Sequence, residues 1–285
     1  MTSLRLPDTA RWREALPAIL IGTFFVVLFW TPMRTLARDW WVNPDASHGL
    51  LLAPLALWLA WRRGLVPAHP APIAGLTLLI GAVLLRWVSG LAVELFTMRA
   101  SLVMAGLALI LLARGWQQLI RWWLPIALLV LSIPLPEVVL SQLALPLQLR
   151  ASSWGAALLE WRHVPVLLEG NIIQVPGRRL FVTEACSGLR SLTALTALGI
   201  LVAGLWLRHP VSRVMLVLIA IPVAMVINSI RVFLTGFLVY YVNPALGEGF
   251  MHYSEGWVLF VVAFAVLGAG AWLLGRIERR LGRAA

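Results

Sequence analysis

The 285-residue chain is 61% hydrophobic and only 12% charged, against about 25% charged residues in a soluble domain, which excludes a soluble globular protein. Its net charge of +11 comes from arginine alone, because the sequence contains no lysine. Many of those arginines gather in short loops and at the termini, the distribution that orients membrane proteins, and no basic stripe of the kind that binds nucleic acid is seen.

Apolar runs approaching the about 20 residues needed to cross a bilayer recur from end to end. They predict spans at about 15–36, 47–62, 73–92, 98–114, 119–134, 187–207, 212–238 and 256–275. The first run lacks a small-residue cleavage site after it and reads as a retained span. The expected fold is therefore an all-α polytopic membrane protein of about eight transmembrane helices, a single integral-membrane domain over 1–285. Arg5, Arg11 and Arg13, Arg62 and Arg63, Arg114 and Arg121, Arg208 and Arg213, and Arg276, Arg279, Arg280 and Arg283 would all be cytoplasmic if both termini are inside. The 15 tryptophans suit interfacial belts.

Between the fifth and sixth expected spans lies the longest non-spanning stretch, 137–185, read as an extracytoplasmic insertion. Its first part, about 137–161, spaces apolar residues helically around Gln142, Gln148, Arg150 and Glu160, as in an interfacial amphipathic helix. Beyond it, short β-rich runs alternate with turn dipeptides at Glu169-Gly170-Asn171 and Pro176-Gly177, the pattern of a small β-meander.

The chemistry-bearing residues fall on the expected outer side. Cys186, the only cysteine, lies in Thr183-Glu184-Ala185-Cys186-Ser187-Gly188-Leu189-Arg190-Ser191 at the start of an apolar helix. A lone thiol is commonly a small buried hydrophobe, but unpaired amides and the positive helix end favour a thiolate there. Arg190 follows one turn later, able to hold a substrate carbonyl or to pair with Glu184. Arg231, in Asn228-Ser229-Ile230-Arg231-Val232, sits inside a span, where arginine faces the protein interior or water. Asn228, three residues earlier, shares its helix face and could orient the guanidinium. His252 precedes the last span, with Glu255 three residues on to hold its imidazole, and histidine suits proton transfer near neutral pH. His48, with Asp45 nearby, belongs either to this site or to the interface, and Arg86 lies mid-span. No His-Glu-x-x-His helix, ligand-spaced Cys/His cluster or phosphate-binding glycine loop points to a metal or cofactor.

The motifs Glu184-Ala185-Cys186-Ser187-Gly188-Leu189-Arg190-Ser191, Asn228-Ser229-Ile230-Arg231-Val232, and His252 with Gly256 four residues later resemble the exosortase/archaeosortase family of multi-pass membrane cysteine proteases or transpeptidases. Ser47-His48-Gly49, Pro134-Leu135-Pro136, Pro146-Leu147-Gln148 and Glu169-Gly170-Asn171 fit the same pattern in the same order. The resemblance implies Cys186 as nucleophile, His252 as general acid/base and Arg231 as oxyanion or substrate-orienting residue, with no cofactor. It implies membrane-anchored protein substrates ending in a Pro-Glu-Pro-like motif, a transmembrane helix and a basic tail. Cleavage would occur at the outer face of a bacterial inner membrane, with transfer to a cell-surface acyl acceptor or to water. A reading from another class is a transporter or assembly protein for lipid-linked exopolysaccharide, in which the cysteine is structural. That reading expects internal pseudo-symmetry and paired intramembrane charges, and the sequence shows no such repeat.

Overall fold

A computed structural model describes residues 9–176, 178–182, 189–243 and 249–281. The chain divides into two compact units, one reaching to Trp123 with Ser132–Pro134 added, the other comprising Leu124–Leu131 and everything from Leu135 onward.

The first unit contains α1 (Thr9–Leu28), α2 (Trp30–Val42), α3 (Gly49–Arg63), α4 (Pro72–Leu91), α5 (Leu95–Ala113) and the short α6 (Trp116–Arg121). Its centre is small: Ala82 and Ala105 are fully buried with Phe29, while Ile73, Leu84 and Trp87 point outward. Small residues inside and large apolar ones outside are what a lipid-facing bundle requires. One buried charge is paired, Arg99 of α5 donating to Asp39 of α2 at 2.7 Å and to the Thr35 carbonyl at 3.2 Å. Glu94 caps α5, accepting from the amides of Phe96 and Thr97 and from the Thr97 hydroxyl.

The second unit contains most of α7 (Trp123–Leu131), then α8 (Glu137–Trp161), β1 (Leu167–Glu169), β2 (Ile172–Val175), β3 (Arg178–Phe181), α9 (Leu189–Trp206), α10 (Pro210–Tyr241) and α11 (Gly249–Leu281). The three strands form an antiparallel meander in sequence order, with Leu168 opposite Ile173 and Ile173 opposite Leu180. Gly170 supplies the φ of +63° that the two-residue turn between β1 and β2 needs. Alternation decides which face is covered: Ile173 and Val175 are buried, and Ile172 and Gln174 less so. Their buried face joins Ala151, Ala156 and Leu159 of α8 and Val232 and Val239 of α10 in one apolar cluster.

The buried residues of α8, from Ala144 through Gln148, Ala151, Ser152, Gly155 and Ala156 to Leu159, recur every three or four positions and form one stripe. Two glycines on that crossing admit the facing side chain. A methyl group at Gly155 would lie 2.6 Å from Cγ1 of Val232, and one at Gly236 would lie 2.8 Å from Cδ1 of Leu159. A separate core of Leu195, Ala203, Leu216, Ala220, Ala224, Ala263, Leu267 and Ala271 holds α9, α10 and α11 together.

The expectation of about eight transmembrane helices is not met. Among the described residues four helices are long and apolar enough to cross a membrane: Pro72–Leu91, Leu95–Ala113, Pro210–Tyr241 and Gly256–Leu281. A fifth arises if the Ile19–Leu28 and Trp30–Val42 segments, bent by 64°, form one span. The remaining runs are helical but short. The 47–62 run becomes a 15-residue helix ending in Arg62 and Arg63. The 119–134 run breaks at Trp122 into helices of six and nine residues. In α9 the described apolar stretch is Leu192–Trp206, shorter than a span. The break at Trp122 has polar causes: the Trp122 indole and Gln118 amide both donate to the Gly64 carbonyl, and Gln118 accepts from the Val66 amide. The chain is a polytopic membrane protein, and its described residues hold fewer membrane-length helices than its apolar runs predict.

Candidate functional site

The antiparallel packing of α9, α10 and α11 sets which residues share a level. On one side of α10, a methyl at Gly199 of α9 would touch the Ala220 Cβ at 3.7 Å. Ten residues along each helix in opposite directions, about 15 Å, bring Leu189 of α9 level with Ile230 of α10. On the other side, a methyl at Gly270 of α11 would stand 3.5 Å from the Leu216 side chain. The same register, followed for about four turns, pairs Gly256 with Arg231. The two are close: a methyl at Gly256 would lie 3.6 Å from Cζ and 3.7 Å from a terminal nitrogen of Arg231.

Arg231 is thus a half-buried cation that faces Gly256 of α11, its Nε shut off from solvent. Glycine at 256 leaves room for the planar guanidinium, whose rigid fork of donors suits a carbonyl or carboxylate. One turn earlier on α10, Asn228 and Ser229 are buried, 4% and 3% exposed. The Ser229 hydroxyl donates back to the Met225 carbonyl at 2.9 Å. Asn228 and Ser229 also line a narrow cleft with Leu147, Arg150 and Ala151 of α8 and Leu192 of α9. An open apolar groove of about 350 Å³, walled by Trp154, Ala157 and Leu158 of α8 and by Val226, Ser229 and Ile230 of α10, runs beside it.

The other end of the same helices is marked by charge. Glu278 of α11 accepts from the backbone amides of Arg208 and His209 at 3.0 and 2.9 Å. It gathers there the α9–α10 turn and the arginine-rich end of α11. Arg231 lies 21 residues from Pro210 along α10, about 31 Å at helical rise, the thickness of one hydrocarbon core.

Of the residues singled out in the sequence, Arg231 and Asn228 are brought together on one helix at this level. Cys186 and Glu184 lie outside the described residues. Arg190 falls in the first turn of α9, and His252 and Glu255 in the first two turns of α11, with His252 one turn before Gly256. His48 occupies the position preceding α3 in the first unit, its carbonyl accepting from the amides of Leu51 and Leu52. Beside it a methyl at Gly49 would fall within 2.1 Å of the Trp40 indole nitrogen, which donates to the Ser132 carbonyl.

Sequence reasoning placed Ser229, Asn171 and Gln148 inside motifs of the resemblance with no role of their own, and gave Gln148 and Arg150 only a place on an amphipathic helix. A polar residue within an otherwise small, buried stripe was the available signal for Gln148. Among the described residues no group of three or more His, Cys, Asp or Glu is placed to hold a metal ion.

A model of the transmembrane exosortase family matches residues 40–269, most of the chain, and the protein belongs to that family. We find no match to the chain among curated proteins or among solved structures.

Proposed function

We propose that this exosortase-family protein is a membrane-embedded cysteine endopeptidase or transpeptidase. Its substrates are membrane-anchored proteins whose C-terminal sorting signal comprises a Pro-Glu-Pro-like motif, a transmembrane helix and a basic tail. The observation that carries this reading is the level shared by Arg231, Gly256 and the start of α9. In the sequence Cys186 precedes Leu189 by three residues, and His252 precedes Gly256 by one helical turn. The reading is supported by the closeness in sequence of Cys186 to the start of α9 and of His252 to Gly256.

In this mechanism the Cys186 thiolate attacks the scissile carbonyl carbon, forming the S–C bond. The carbonyl electrons move onto oxygen, where the Arg231 guanidinium stabilises the charge. Collapse of the tetrahedral intermediate breaks the C–N bond, and protonated His252 gives its proton to the departing amine. Neutral His252 then takes a proton from water or from an acceptor nucleophile. That nucleophile replaces the thioester sulfur and releases the thiolate. Asn228 orients Arg231, Glu255 holds the imidazole, and Glu184 and Arg190 are supporting contacts for substrate or thiol.

Charge distribution supports an outward-facing site in a bacterial inner membrane. Arg208, Arg213, Arg276, Arg279 and Arg280 mark their end of the second unit as cytoplasmic by the positive-inside rule. Arg231 lies one membrane thickness away along α10.

The test is processing of a membrane-anchored reporter carrying such a sorting signal. Cys186→Ala, Arg231→Ala and His252→Ala should insert at wild-type levels and accumulate uncleaved reporter. Complete processing by Cys186→Ala would refute the proposal.

A further inference from the structure

The segment that carries Cys186 leaves the β-meander at Val182, and Val182 is held through both of its backbone polar groups by one residue. Its amide donates to the backbone carbonyl of Asn171 at 2.9 Å. Its carbonyl accepts from the Asn171 side-chain nitrogen at 3.1 Å. Register explains the arrangement: Ile172 faces Phe181, so Asn171 and Val182 form the next rung, where the ladder ends. The Asn171 amide thus completes a rung with its side chain, just after the Gly170 turn.

That side chain is itself fixed. The Asn171 nitrogen also donates to Oε1 of Gln148 at 3.5 Å. The Val182 carbonyl can only accept, which sets the Asn171 nitrogen on its side, and the second N–H of that nitrogen is directed at Gln148. Gln148 is 7% exposed within the buried stripe of α8, the same stripe whose Gly155 packs against Val232 next to Arg231. Val182 is 3% exposed and shares a core cluster with Val232. A path of hydrogen bonds and packed side chains therefore runs from the helix carrying Arg231, through α8, to the last described residue before Thr183.

We infer that Asn171, held by Gln148, is a positioning residue: it fixes the backbone at Val182, four residues before Cys186 in sequence, and through it the alignment of the thiol for attack. The inference rests on the reading of Cys186 as nucleophile. It concerns residues 23 positions apart in sequence and adds a role for the sheet, which otherwise has no part in the chemistry. A misplacement of about 1 Å at a reacting group can lower turnover about 10²-fold.

The test compares Asn171→Asp and Asn171→Ala with Gln174→Ala, all in the full-length protein. Asn171→Asp keeps the shape but turns the donor towards two oxygens as an acceptor. Gln174 bonds Glu169 elsewhere in the sheet and controls for general damage to it. We expect both Asn171 variants to insert and melt like the control. Their kcat for the reporter should fall about 10²-fold with KM held, and a small maleimide should alkylate Cys186 at a changed rate. Wild-type kcat in Asn171→Asp, or loss of kcat that tracks loss of thermal stability with unchanged alkylation, would overturn the inference. Full processing by Cys186→Ala would overturn the underlying reading as well. Wild-type kcat in Asn171→Asp beside an inactive Cys186→Ala overturns the inference alone.

Discussion

The guanidinium of Arg231 on α10 faces Gly256 on α11 across a space that a methyl group on the glycine would fill, 3.6 Å from Cζ. This contact ties two sequence motifs 25 residues apart to one level of the helical bundle. It leaves a planar cation at the end of the bundle remote from the arginine-rich loops.

Because 3.6 Å is ordinary van der Waals contact, Gly256→Ala should be tolerated, with processing within a few-fold of wild type. Gly256→Leu brings atoms beyond Cβ into the space of the guanidinium and should abolish processing without preventing insertion. Equal activity in the two variants, measured on the same reporter, would contradict the contact.

Arg231→Lys keeps the charge but loses the planar fork. If the residue stabilises an oxyanion, kcat should fall about 10²–10³-fold, the effect of about 2.7–4 kcal/mol. Kinetics at saturating reporter decide the point, since a lysine variant with wild-type kcat would show that charge alone suffices.

The α8–α10 crossing predicts compensation. Gly155→Ala places a methyl 2.6 Å from Cγ1 of Val232, a β-branched side chain with one favoured helical rotamer. Overpacking of this kind costs about 1–3 kcal/mol. The double variant Gly155→Ala with Val232→Ala should recover part of that loss. Thermal melting in detergent that shows the two changes to be simply additive would argue against the crossing.

Glu94, at the head of α5 and outside the helices long enough to span, gives a pH prediction. Burial pushes its carboxyl pKa up, but the Thr97 hydroxyl and the Thr97 and Phe96 amides outweigh burial and hold it below the usual 4.5. A group depressed in the folded state contributes stability that is present above its unfolded pKa. That contribution is lost as pH falls through the lower folded value. Glu94→Gln should therefore melt below wild type at neutral pH, with the gap closing under acid conditions. A gap independent of pH would show that the hydrogen bonds do not depend on charge.

Much of this was legible in the sequence for identifiable reasons. The β-meander declared itself by alternation around Glu169-Gly170-Asn171, because strand period and turn chemistry are local. Arg231 stood out because an arginine inside an apolar run demands an explanation. The number of spans did not follow, because an apolar run does not reveal where it breaks. The break at Trp122 depends on Gln118 and the indole reaching Gly64, 54 and 58 residues away. Gly256 was legible as part of a motif, but its use as a seat for Arg231 depends on the register of α10 with α11. The bond from Asn171 to Gln148 joins two elements that no local pattern links.

The central claim is that Cys186 is an activated nucleophile served by His252. Its most direct test is alkylation from the outer face, in intact cells or oriented vesicles, with a small charged maleimide. Because the chain has one cysteine, labelling reports that thiol alone. The account predicts rapid labelling of the wild type, none of Cys186→Ala, and slowed labelling of His252→Ala. A rate indifferent to His252, or no labelling of the wild type, would contradict it. Such a result would mark the cysteine as structural and favour a transporter or assembly role for this membrane protein.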